Sequence, residues 1–360
     1  MSSDAGAFAR LTAALAQVPP AERPALIARA LGNRVRRVGV DAAYAGGLYR
    51  WAPGRMKGRG VVLLFHEIHQ DVGRELMVGA ELGHLMNAVR FCREDRRDIV
   101  DLDEAARRLG DPAAPPFAVI TFDDGYRDIR TRVLPALAAE NVPFTVYVPT
   151  RAPTGELYGW WLGLRELFRR NDVVTVAAMD RTFTTGTSAG KVVALRAVNA
   201  WVGEDFGRAP ALADTFAQYG VDLPRIVADR MMSESELREV AAHPLLTVGA
   251  HTESHAALAL LPERDAEGEM IRNKRYLETL LQRPVDHIAY PYGSPGACGE
   301  REGRIAARAG FTTATTTCSG TLGAEEAGRP HLWPREDVGY PAQTPATVAA
   351  HCYGLARWLG

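Results

Sequence analysis

The chain has 360 residues, 47% of them hydrophobic, and a formal net charge of −1. That is enough for one large domain with a buried core plus additional elements. With a pI near 6.8 there is no bulk electrostatic drive toward nucleic acid or acidic polymers. Cys92, Cys298, Cys318 and Cys352 are dispersed without a Cys-x-x-Cys spacing and read as reduced thiols. No signal-peptide pattern is visible, and no run approaches the ~20 apolar residues of a membrane span, so the expectation is a cytoplasmic protein without a transmembrane segment.

Residues 1–57 read as a helical extension. Ala14, Leu15, Leu26, Ile27 and Leu31 lie on amphipathic stretches broken at Pro19-Pro20 and Gly32. The basic cluster Arg34, Arg36 and Arg37 is followed by Tyr44, Leu48, Tyr49 and Trp51. This pattern is read first as a helix packed on the main domain and second as a membrane-surface or partner-docking segment. From residue 58 to 340, apolar runs at 60–65, 117–122, 143–149, 245–250, 287–292 and 311–317 alternate with helical stretches. Alternation of that kind argues for parallel βα units. An insertion at 157–231 is far longer than the ~2 to 6 residues of a plain connection. Trp160 and Trp161 open it, and helical patterns at 162–170, 192–202 and 211–219 follow. Lying after a strand's carboxyl end, it would overhang the active face, either as a lid whose two tryptophans meet the substrate or as a purely structural cap. Ser233 and Glu236 form a capping box that starts a helix running to Ala242. Residues 341–360 read as a carboxyl-terminal helix.

The chemistry gathers at two places. Asp123 and Asp124 follow the run 117–122, where a strand buried on both faces emerges. Two adjacent carboxylates need a cation, a shared proton or solvent. His251 and His255 follow the run 245–250, and their spacing of four suits two imidazoles on one side of a helical turn. Two histidines and one carboxylate leave a position open, as in a catalytic zinc site. In a barrel of βα units chemistry belongs at the carboxyl ends of strands. His66, Asp123, Asp124, His251 and Tyr292 all fall there.

At Thr121-Phe122-Asp123-Asp124-Gly125, His251-Thr252-Glu253-Ser254-His255 and Tyr290-Pro291-Tyr292-Gly293, the sequence resembles the polysaccharide deacetylase family, also called the NodB-homology or family 4 carbohydrate esterases. The resemblance implies a distorted (β/α) barrel of about seven strands that removes N- or O-acetyl groups from an amino sugar, oligosaccharide or polysaccharide precursor. It implies a divalent metal, zinc before cobalt, nickel or manganese, on Asp124, His251 and His255, with Asp123 as base. Pro291 and Tyr292 would contact substrate, and the Tyr292 amide would be the oxyanion donor.

Two departures from the family pattern redirect the search. The usual Leu-x-His motif for the general acid is missing, and His66 in Leu-Phe-His-Glu-Ile resembles a subgroup whose acid comes from the amino-terminal side. His69 and His331 rank behind it. The arginine that commonly precedes Pro-Tyr-Gly is replaced at Ala289, so Arg335 is expected to steady Asp123 instead. The alternatives are a carbohydrate-binding protein on an inactive deacetylase fold and a non-sugar amide hydrolase of the same superfamily. Oligomeric state stays open.

Overall fold

The computed structural model describes residues 38–69, 76, 78–340 and 343–355. Its centre is a parallel sheet built from β1 (Gly60–Phe65), β2 (Asp98–Ile99), β3 (Phe117–Phe122), β4 (Phe144–Val148), β7 (Leu246–Ala250), β8 (His287–Ala289), β9 (Thr313–Thr315) and β10 (Glu336–Asp337). Two further strands, β5 (Val173–Val176) and β6 (Arg181–Thr184), form a separate antiparallel hairpin. Seven strands run in the order β10-β1-β3-β4-β7-β8-β9, and β2 pairs with the start of β3. The sheet curls into a distorted (β/α) barrel surrounded by helices. Between β9 and β1 the wall is a broken strand: Trp333 forms a parallel bridge with Thr315, and Glu336 and Asp337 then pair with Leu63 and Leu64.

β1, β3 and β4 are buried at every position, which explains why they read as continuous apolar runs rather than alternating ones. Phe65 stacks on Phe122, with ring centroids 5.5 Å apart, and Phe144 meets Phe122 edge-on. Register then does the positioning. β1 and β3 pair without offset from Gly60 with Phe117 to Phe65 with Phe122, and the Asp123 amide donates to the Phe65 carbonyl at 3.1 Å. His66 and Asp123, the next residue on each strand, therefore emerge side by side. Within β7, Gly249 is required by close approach: a Cβ there would lie 2.4 Å from the Tyr147 ring. That ring in turn lies under the Arg335 guanidinium, 5.5 Å from its centroid.

The segment 157–231 carries the helices Trp160–Arg170, Ser188–Glu204, Ala213–Gln218 and Leu223–Arg230, together with the β5–β6 hairpin. Leu164, Phe168, Val174, Phe183, Leu195, Val198 and Leu212 pack together as an apolar cluster apart from the barrel core. The hairpin is absent from the sequence reading because its strands have only four residues each, too few for period-two alternation to stand out. Ser233 and Glu236 make the reciprocal capping box at the start of helix Glu234–Ala241. Residues 38–45 are helical; residues 1–37, including the first part of the helical extension, lie outside the described residues, as do 341–342 and 356–360. A helix at Pro345–Cys352 follows the barrel.

Candidate active site

The ends of β1, β3 and β7, the Pro-Tyr-Gly turn after β8 and the start of the insertion enclose a pocket of about 580 Å³. Its lining includes His66, Asp123, Asp124, Trp160, Trp161, His251, His255 and Tyr292. Pro291 is buried beside it.

Asp124 adopts φ 70° and Gly125 φ 74°, so the chain turns sharply at the end of β3 and sends the two carboxylates different ways. Asp124 Oδ1 lies 3.5 Å from His251 Nε2 and 3.1 Å from His255 Nε2. The three side chains are buried and offer donor atoms all within 4.8 Å of one another. Burial opposes the charge on Asp124, yet the two histidines outweigh it and hold the carboxyl well below its usual range. The His255 ring is pushed down, chiefly by burial.

The histidine pair corrects one expectation. Residues 251–255 are not a helical turn. Thr252 (φ 65°) and His255 (φ 61°) are left-handed, and this irregular loop, not helical spacing, brings the imidazoles together. Such backbone is costly for non-glycine residues and persists where neighbours over-determine it. Here the helix Glu263–Leu281 supplies them. Asn273 Oδ1 accepts from the His251 amide at 2.7 Å, while its Nδ2 donates to the Val148 carbonyl and Thr150 Oγ1. Glu269 accepts from both the amide and the hydroxyl of Ser254 at 2.8 Å. Sequence reasoning missed both residues. The available signal is their spacing: two polar residues four apart, on the face where Ala266, Met270 and Leu277 are buried.

The donor set fits a metal ion. His251 Nδ1 lies 2.8 Å from the Ala289 carbonyl, which fixes the tautomer with Nε2 free to ligate. Asp124 Oδ1 and His255 Nδ1 are buried without a hydrogen-bond partner, and an orphaned carboxylate oxygen between two imidazoles is costly unless something positive meets it.

Asp123 lines the same pocket but has a different partner. Both of its oxygens accept from Arg335, Oδ1 from Nη1 and Oδ2 from Nη2, each at 2.7 Å. Arg335 is fully buried and is itself held by the Thr316 carbonyl through Nε. Burial works against the Asp123 charge, but Arg335, followed by His251, overrides it and lowers the carboxyl below its ordinary value. The bidentate pair thus keeps Asp123 ionised and fixes its plane.

His66 is half-buried at the pocket wall. His69 and His331 are engaged elsewhere: His69 Nε2 meets the Val78 carbonyl, His331 Nε2 meets the Phe311 carbonyl, and neither lines the pocket. The next residue, buried Glu67, is ion-paired to Arg165 of the 157–231 segment and lies 3.3 Å from Arg230. Burial opposes the Glu67 charge, and the two arginines hold its carboxyl below the usual range nonetheless.

Tyr292 adopts φ 62° and its carbonyl accepts from the Thr317 hydroxyl at 2.7 Å. Its ring stacks on Phe206 at 4.1 Å, its hydroxyl accepts from the Trp160 indole at 3.0 Å, and burial pushes that hydroxyl up to about 12. Trp160 is only 6% exposed and supports Tyr292 more than it offers a stacking face. Trp161 is more open; its indole donates to the Tyr126 hydroxyl at 2.8 Å and its ring lies 4.8 Å from that of His255.

A polysaccharide deacetylase family model matches residues 110–180 and 202–314, just over half of the chain. The chain belongs to the polysaccharide deacetylase family. Its members are hydrolases that deacetylate sugar polymers, and the break in the match falls inside the 157–231 segment. Among solved structures, the Streptococcus pyogenes deacetylase PplD, in complex with acetate, superposes with a TM-score of 0.51 at 17% identity, over 79% of this chain and 94% of that one. IcaB from Ammonifex degensii gives 0.50 at 18% identity, over 84% and 97%. A polysaccharide deacetylase from Bacillus cereus gives 0.50 at 17%, over 81% and 68%. At these identities the likeness is one of fold. No curated protein matches the chain. Among the described residues, no helix is long and apolar enough to cross a membrane.

Proposed function

We propose that this polysaccharide deacetylase hydrolyses N-acetyl groups on an amino-sugar polymer or oligomer, and that it does so with a divalent cation, zinc first. The observation that carries this reading is the convergence of Asp124, His251 and His255 beside an Asp123 clamped by Arg335, all on one pocket. A cation on the triad would polarise the acetyl carbonyl and acidify water. The chain's own groups do the rest. Asp123, kept ionised by Arg335, takes a proton from the attacking water as its oxygen bonds to the acetyl carbon. The Tyr292 amide, which takes no backbone partner among the described residues, is available to the oxyanion; one such donor contributes ~2.7 to 4 kcal/mol. His66, beside Asp123 at the end of β1, delivers a proton to the leaving nitrogen as the carbon–nitrogen bond breaks, releasing acetate and the free amine.

Acetate release from N-acetylglucosamine oligomers, measured with and without added zinc, tests the proposal. Release should depend on metal, and Asp123→Asn should lower it by about 10² to 10⁴ while metal content is retained. Stoichiometric metal with no acetate from a broad glycan panel would favour the carbohydrate-binding alternative.

A further inference from the structure

The stretch that leads into β1 is unlike the rest of the chain. Residues 38–57 contain three basic residues, Arg50, Arg55 and Lys57, and one acid, Asp41, in a protein whose net charge is −1. Three of the six exposed large hydrophobic residues among the described residues also lie there: Val38 at 63%, Leu48 at 62% and Trp51 at 85%.

The stretch is anchored, so this exposure does not come from a loose chain. The Tyr49 ring stacks on Tyr44 at 5.4 Å and meets Tyr353 edge-on at 4.9 Å, and the Met56 carbonyl accepts from the Thr321 hydroxyl at 2.7 Å. Leu48–Trp51 is a 3₁₀ turn, in which side chains three apart eclipse one another. Leu48 and Trp51 therefore project from one face while Tyr49 is held on the barrel. Arg50, also exposed, stands between them. An indole and an aliphatic side chain on one face, amid positive charge, match the boundary between lipid headgroups and acyl chains. Tryptophan partitions there, and each Lys or Arg near an anionic surface adds to binding.

We propose that residues 38–57 form a docking surface for an anionic lipid bilayer, with Leu48 and Trp51 entering the headgroup boundary and the exposed Arg50 facing lipid phosphates. The surface adjoins the first residue of β1, and the pocket adjoins its last. A six-residue strand separates them by roughly 20 Å. The pocket is consequently directed away from the lipid, so docking leaves it open to a glycan chain extending from the membrane.

Pelleting of the full chain with phosphatidylcholine vesicles, with and without phosphatidylglycerol, tests this. Binding should require phosphatidylglycerol and weaken with salt. Both Arg50→Glu and the double variant Leu48→Ser/Trp51→Ser should reduce it by about tenfold or more, with the far-ultraviolet spectrum, melting temperature and acetate release from soluble oligomers unchanged. Equal pelleting of all variants, equal binding to neutral vesicles, or no pelleting at all overturns the proposal. So does sedimentation showing that the double variant abolishes self-association instead, which would assign the face to a second copy of the chain.

Discussion

On one side of the pocket, Asp124, His251 and His255 stand beyond β3 and β7, braced mainly by barrel backbone and one barrel helix through the Ala289 carbonyl, Asn273 and Glu269, with Trp161 reaching the His255 ring. On the other side, His66 is followed by Glu67, whose charge is balanced by Arg165 and Arg230 from the 157–231 segment, and Tyr292 is held by Trp160 and Phe206 from that same segment. The first wall is held chiefly by strand ends, backbone carbonyls and one helix. The second depends on how the 157–231 segment packs. Changes on the barrel side should therefore remove chemistry outright, whereas changes on the insertion side should shift substrate affinity and the alignment of the acid.

The largest effect is expected from His255→Ala. Removing one of three metal donors should lower both metal content and turnover, the latter on the order of 10³-fold if the charge stabilisation of several kcal/mol is lost. Metal analysis beside acetate release checks it, and full activity without bound metal would break the assignment of this wall. Arg335→Ala should come next. It leaves Asp123 buried and unpaired, which costs roughly 3 to 5 kcal/mol of stability and should lower turnover with metal content intact. Denaturant unfolding, metal analysis and turnover give three readouts, and unchanged turnover would reject Arg335 as the residue that steadies the base. On the second wall, His66→Ala should lower turnover by about 10², while His331→Ala, whose ring is spent on the Phe311 carbonyl, should leave it near the parent value. The reverse ranking would move the acid out of the amino-terminal strand.

The two walls also differ in how far they could be read from the chain. The runs 60–65 and 117–122 coincide with β1 and β3 because strands buried on both faces are written as unbroken apolar residues bounded by glycine and proline. Asp123, Asp124 and His251 stand directly after such runs, so their shared face follows from strand direction, while His255 joins them only through the loop that follows β7. The order of the sheet and the two-residue strands β2 and β10 leave no periodic trace. The form of the histidine loop was misread because a spacing of four suits a helix turn as well as a loop with two left-handed residues, and only the contacts from Asn273 and Glu269 select the loop. Glu67 and Arg165 are 98 residues apart; nothing in one sequence links them, since an ion pair has no pattern until the chain has folded.

The smallest expected effect is the one that best separates a sugar-binding insertion from a purely structural one. Trp161 presents its ring toward the pocket and spends its indole N–H on the Tyr126 hydroxyl. Trp161→Phe keeps an aromatic face and loses that hydrogen bond, which costs about 0.5 to 1.5 kcal/mol of stability. Trp161→Ala also removes the face, and an aromatic stacking contact of this kind contributes on the order of 1 kcal/mol. If the ring stacks on substrate, KM should rise several-fold in the alanine variant and little in the phenylalanine variant, with kcat nearly constant in both. If the ring only seals the barrel beside His255, both variants should lose stability in step and the alanine variant should lose metal affinity instead, because the wall behind one of the three donors would be open to water.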